Sequence, residues 1–114
     1  MYIDVVPNWR IRNIADHYEL KRQIGKLIEE TAELTEAAKG AEDELLFGIK
    51  EEISREKLDA LVDEMADVLV MIDQISYLLD VRVAVDERMN YKISRQVQRM
   101  IQEEKAAQEA ENET

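Results

Sequence analysis

Two stretches place carboxylates three residues apart in otherwise helix-forming sequence. KLIEETAELTEAA, residues 26 to 38, contains Glu30 and Glu33. LVDEMADVLVMI, residues 61 to 72, sets Glu64 and Asp67 among leucine, valine, methionine and isoleucine. Residues three apart on a helix are neighbours, about 5–6 Å between Cβ atoms. If the two helices pack antiparallel, four carboxylates converge on one small volume. Alone, that convergence is unfavourable: like charges about 4 Å apart repel by roughly 4 kcal/mol at an effective dielectric of 20. Burial beside apolar neighbours adds a desolvation cost. Protons or cations must compensate. Oxygen ligands without His or Cys suit Mg²⁺, Mn²⁺ or Ca²⁺, and Mg²⁺ commonly takes its remaining ligands from water and substrate phosphates. A lone ExxE on a helix is ordinarily solvated surface. The same spacing inside LVDEMADVLVMI is not, because its flanks are apolar on both sides. Glu36, Asp63 and Asp73 are expected to face solvent or salt bridges. Glu29 stands about 100° around the helix from Glu30, at the edge of the site.

The elements that must hold these groups are helices. The chain has 114 residues, enough for one small domain over 1–114. One Pro, three Gly and 36% charged residues favour long helices. Residues 1 to 8, with Pro7, are expected to be extended. A first helix is predicted over residues 13–39, on the apolar series Leu20, Ile24, Leu27, Thr31, Leu34 and Ala38, with Gly40 as its C′ stop. Residues 41 to 50 form a connector. A second helix is predicted over residues 51–79, with Leu58, Leu61, Met65, Val68, Ile72, Ile75 and Leu79 as its stripe. Its middle is apolar nearly all round, so it lies in a core or between a core and a partner subunit. The carboxylates occupy stripes beside these core stripes: Gln23, Lys26, Glu30, Glu33 and Ala37 on one helix, Ala60, Glu64, Asp67, Met71 and Gln74 on the other. A third helix runs from Val83 or Asp86 to Glu104, and residues 103–114 form a polar, frayed tail. The fold class is all-α, a bundle of three to four helices per chain that assembles into a homo-oligomeric four-helix-type bundle.

The third helix carries Arg88, Lys92, Arg95 and Arg99 as one cationic stripe. It is either a solvated face or a phosphate clamp; Arg suits bidentate phosphate contact and Lys acts as a point charge. Asn90 beside it could read a base or sugar. Gln23 and Lys26 could point into the site. Trp9, Tyr2, Tyr77 and Tyr91 are candidates for stacking on a base, against the commoner role of packing. His17 has no second His with which to bind metal, and no Glu-x-x-His pattern supports a di-iron bundle.

Charge is uneven along the chain. Residues 29 to 67 carry fourteen acids against four bases, flanked by two basic segments. The net charge of −11 argues against nonspecific nucleic-acid or membrane binding. With no Cys there are no disulfides or thiolate sites. No apolar run reaches the ~18 residues of a membrane span and MYIDVVPNWR has no signal-peptide pattern, so a cytoplasmic protein is expected.

The set E-E-T-A-E (Glu29 to Glu33) and E-M-A-D (Glu64 to Asp67) resembles the signature of MazG-like nucleoside triphosphate pyrophosphohydrolases, which belong with the all-α NTP pyrophosphatases. QIGKLIEETAEL is similar to the family's first motif helix and DEMADVLVMI to its second. MNYKISRQVQR, from Met89 to Arg99, resembles the basic third-helix segment. The likeness covers residues 18 to 99. It implies a homodimer or dimer of dimers and Mg²⁺-dependent hydrolysis, with Mn²⁺ a possible substitute, of a (d)NTP to a (d)NMP and pyrophosphate, as in nucleotide-pool housecleaning. Glu30, Glu33, Glu64 and Asp67 would be the metal ligands, and Lys92 and Arg95 would contact phosphate. Glu29 or Glu33 would help remove a proton from the attacking water. The competing expectation is a non-enzymatic acidic helical protein, a DNA mimic or partner-binding bundle. A mimic needs surface charge and has no use for acids inside an apolar band.

Overall fold

The computed structural model describes residues 8–47 and 52–113. Four helices account for nearly all of them: α1 (Asn8–His17), α2 (Leu20–Phe47), α3 (Arg55–Leu79) and α4 (Arg82–Asn112). There is no strand among the described residues. The chain divides into two compact units, one closing at Asp80 and the other beginning at Val81.

In the first unit α2 packs along α3, and α1 packs on α3. The α2–α3 pair is antiparallel. Gln23 near the start of α2 meets Gln74 near the end of α3. Gly40, late in α2, meets Lys57 in the first turn of α3. Glu44 meets Ser54, the N-cap of α3. The seam follows an alternating three-four spacing. On α2 it runs through Leu20, Gln23, Leu27, Glu30, Leu34, Ala37 and Ala41. On α3 it runs through Leu61, Glu64, Val68, Met71, Ile75 and Leu78. That is the spacing of helices packed knobs-into-holes.

The seam therefore differs from the stripes expected on apolar content alone. Ile24, Thr31 and Ala38 are exposed, and the seam lies one position away, on Gln23, Glu30 and Ala37. On α3 the expected stripe splits. Leu61, Val68 and Ile75 face α2, whereas Leu58, Met65, Ile72 and Leu79 are exposed. The cause is that polar residues occupy seam positions. Two of the four carboxylates, Glu30 and Glu64, lie in the core stripe itself; Glu33 and Asp67 are exposed beside it.

Helix limits differ as well. The long helix expected from residue 13 is broken at Tyr18–Glu19, without Gly or Pro. The break is held by Gln23, whose Nε2 donates to the carbonyls of Ala15 and Tyr18, both at 2.8 Å. These belong to the last turn of α1 and its exit, where carbonyls lack intrahelical partners. Gly40 does not stop α2: no described glycine has positive φ. Ala41 is buried beyond it, and Glu44 reaches across to Ser54. Tertiary contact carries α2 on to Phe47 through the segment expected to be a connector; residues 48–50 lie outside the described residues. Residues 52–54 precede α3, where Ser54 Oγ accepts from Lys57 N–H at 3.3 Å. Asp80 ends α3 in the left-handed region (φ 54°), its N–H donating to the carbonyls of Ser76 and Tyr77. The extended stretch expected at residues 1 to 8 lies outside the described residues, apart from Asn8, which opens α1.

The second unit is α4. It is helical to Asn112, through the tail expected to fray, and none of its residues is buried. No helix among the described residues is long and apolar enough to cross a membrane.

Candidate metal centre

Midway along the α2–α3 seam the packing residues are acids. Glu30 on α2 is only 7% exposed. Glu64, facing it from α3, is half-buried, and Glu33 and Asp67 flank the pair at the solvent edge. One carboxylate oxygen from each of the four lies within 4.8 Å of the others. These are the four residues picked from the sequence as metal ligands.

Two atoms decide what the cluster can do. Glu30 Oε2 and Glu64 Oε2 are buried and have no hydrogen-bond partner. Buried polar atoms are nearly always paired, so each orphan requires an explanation. Glu30 Oε1 has a partner: the Lys26 ammonium lies 3.3 Å from it and 3.3 Å from Glu29 Oε2. Those two carboxylates raise the Lys26 pKa, Glu29 foremost. On Glu64 the environment opposes the charged form. Desolvation, then the charges of Glu33 and Asp67, then a hydrogen bond with Glu33, push its carboxyl above the usual range. The chain thus supplies one ammonium at the rim and no cation at the centre.

A divalent cation fits this donor set. Oxygens on opposite sides of a hexacoordinate Mg²⁺ or Ca²⁺ stand about 4–5 Å apart, the span the four oxygens already cover. Hard anionic oxygens with neither His nor Cys favour Mg²⁺, Mn²⁺ or Ca²⁺ over softer metals.

The other residues singled out from the sequence fall in different places. Glu29 is exposed, held only by Lys26. Gln23, expected near substrate, is 2% exposed, and its amide is engaged with α1 and Gln74. Asn90, Lys92 and Arg95 are exposed on α4, in the second unit. Tyr77 is a pin between helices: its hydroxyl donates to Asp16 Oδ2 at 3.1 Å, with the Arg12 guanidinium 5.6 Å from its ring centre. Trp9 and Tyr91 are exposed, and Tyr2 lies outside the described residues. His17 stands edge-on to Tyr18 at 4.7 Å.

Sequence reasoning missed a cavity of about 550 Å³ in the first unit. Ile14, Tyr18 and Met71 supply its apolar lining, and Arg22, Gln23, Lys26, Glu29 and Gln74 its polar lining. Gln74 carried a signal, an amide in the apolar run MIDQISYLL, but no partner could be assigned without the break between α1 and α2. Comparison with protein-family models, curated proteins and solved structures finds no match.

Proposed function

We propose that the chain is a Mg²⁺-dependent nucleotide pyrophosphohydrolase of the MazG-like kind, converting a (d)NTP to a (d)NMP and pyrophosphate and acting on the nucleotide pool. The observation that carries this reading is the pair of buried, partnerless carboxylate oxygens on Glu30 and Glu64, inside a four-acid cluster spanning 4.8 Å. An acidic mimic has no use for carboxylates in a helix seam. A site that binds cations for phosphate chemistry requires them.

Glu30, Glu33, Glu64 and Asp67 would hold the ion, which when bound supplies charge neutralisation for phosphate and activation of a water. The residues of the chain do the rest. Glu30 and Glu64, set in the seam, fix the position of the charge. Glu33, at the solvent edge, or Glu29, outside it, would accept a proton from an attacking water. Lys26 at the rim offers an ammonium to the negative charge that develops on the phosphorus oxygens. The phosphate contacts of Lys92 and Arg95 rest on the resemblance, and a nucleoside contact of Asn90 rests on its place beside the cationic stripe.

The same reading makes the protein a homodimer or dimer of dimers. Leu58, Val62, Met65, Leu69 and Ile72 form an exposed stripe on α3 with three-four spacing. Such a row seeks a second helical surface.

The test is release of pyrophosphate from a panel of NTPs and dNTPs with Mg²⁺, beside calorimetric titration of Mg²⁺ into the protein. We expect release on at least one nucleotide. Glu64→Gln should reduce it by at least roughly a thousandfold and weaken Mg²⁺ binding while helicity is retained. Unchanged turnover in that variant would overturn the assignment of the centre.

A further inference from the structure

A nucleotide held by its phosphates at the acidic cluster must place its ring somewhere, and the cavity beside Lys26 is bounded by groups whose polarity is fixed. A ring-binding role for this cavity rests on the nucleotide reading above and bears on which rings the chain accepts. Lys26 belongs to both places: it is bonded to Glu30 of the cluster and lines the cavity. The cavity volume falls within the range of small-molecule sites.

The carbonyl oxygens of Ala15 and Tyr18 can only accept. Gln23 must therefore turn its Nε2 toward them, and both of its N–H groups are used there. Its Oε1 is left to face Gln74 and must accept a hydrogen bond. It does so from Gln74 Nε2 at 2.9 Å. The reversed Gln74 amide would set two oxygens against each other, so this orientation is forced. Met71 Sδ, a weak acceptor, stands 3.8 Å from Gln74 Nε2 and takes the second hydrogen. Gln74 lines the cavity with its donors committed, and its Oε1 is the group left over.

We propose that Gln74 is a specificity-determining residue, oriented by Gln23 so that it offers the cavity a hydrogen-bond acceptor and no donor. The ligand is a nucleobase presenting an N–H at that point, such as the imide of uracil or the amino group of cytosine. Rings whose N–H groups are alkylated are refused, because they leave the Gln74 oxygen buried without a partner. Gln23 acts as the positioning residue: it sets the direction of the relay.

The experiment is equilibrium binding, with Mg²⁺, of α,β-imido triphosphates, which resist cleavage at the scissile bond. The probes are two matched pairs: uridine against N3-methyluridine, and cytidine against N4,N4-dimethylcytidine. The parent protein should prefer the N–H-bearing member of at least one pair by roughly tenfold or more. Gln74→Met keeps the volume and removes the acceptor; the preference should fall to about twofold or less, with helicity intact. In Gln23→Met the Gln74 amide is free to turn, and the preference should fall in the same direction. Equal binding of both members by the parent overturns the proposal, as does a preference that persists in Gln74→Met and is therefore steric. Selective binding without pyrophosphate release would leave this proposal standing and sink the hydrolase reading. Binding of no nucleotide would sink both.

Discussion

Gln23 and Glu30 stand two turns apart on the same face of α2, and both are almost wholly buried. Their situations are opposite. Gln23 has two carbonyl acceptors and one amide donor, all within 2.9 Å. Glu30 has one oxygen on Lys26 and one with no partner, and across the seam Glu64 repeats the deficit. Where the chain satisfies a buried polar group, that group belongs to the fold. Where it does not, the orphaned oxygens leave room for a cation from outside, as the proposed function requires. At the far end of the seam the half-buried Glu44 is likewise satisfied, accepting from Ser54 N–H at 2.7 Å and from its hydroxyl at 2.8 Å.

This contrast is broken most directly at Gln23. Gln23→Ala strips partners from two carbonyls and from Gln74, and it unties α1 from α2. Leaving buried polar groups unpaired should cost about 2–3 kcal/mol, a fall of roughly 10–20 °C in the thermal midpoint. A drop of only a degree or two would mean that the relay is not structural.

Removing a charge at the centre should do the reverse. Glu64→Gln relieves repulsion that the metal-free protein cannot discharge. Its midpoint in EDTA should rise by a few degrees, and the rise in midpoint that the proposed function predicts for the parent protein in millimolar Mg²⁺ should be lost. The pH dependence has a definite sign. The folded-state pKa of Glu64 is raised above the ordinary 4.5, so in the window above that value the folded state holds more proton than the unfolded one. Metal-free stability from this group is present at the acid side and is lost as pH rises through the raised pKa. Glu44 has the opposite sign. Hydrogen bonds from Ser54 lower its pKa below 4.5, so its contribution is present above that value and is lost as pH falls through the lowered one. Thermal melts from pH 4 to 8, with and without Mg²⁺, separate the two: Glu64→Gln flattens the decline on the alkaline side, and Ser54→Ala weakens the protein chiefly above pH 4.5. The Ser54 change should also cost about 1 kcal/mol of capping.

The acidic cluster was legible in the sequence because its spacing and apolar flanks are local properties. Glu30, Glu33, Glu64 and Asp67 converge as their three-residue intervals require. The register of the seam was harder to read. Counting apolar residues favoured Ile24 and Met65, both exposed, over Gln23 and Glu64, which lie in the interface. A polar residue is kept at a packing position by a partner on another element, and that partner has no signature in the local pattern. The break after His17 was hidden for the same reason, since the side chain that stabilises it lies in the next helix. α4 was legible as a cationic helix, with Arg88, Lys92, Arg95 and Arg99 all exposed.

Gly40 offers the smallest and most discriminating test of how the seam overrides local signals. As a C′ stop it would need positive φ, and alanine there would be destabilising. Within a continuous α2 it is instead a mid-helix glycine, a position where alanine is favoured by roughly 0.5–1 kcal/mol. A Cβ added there would meet Lys57 Cδ at 3.4 Å and Nζ at 3.6 Å, the outer part of a flexible side chain. Lys57 can yield by a few tenths of an ångström with little loss, so Gly40→Ala should stabilise by about 0.5 kcal/mol, read as a higher urea midpoint at unchanged slope. A loss of stability instead would mean that α2 ends where the local sequence says it should. The pairing of Glu44 with Ser54 would then fail with it, because both depend on α2 continuing past Gly40 along α3.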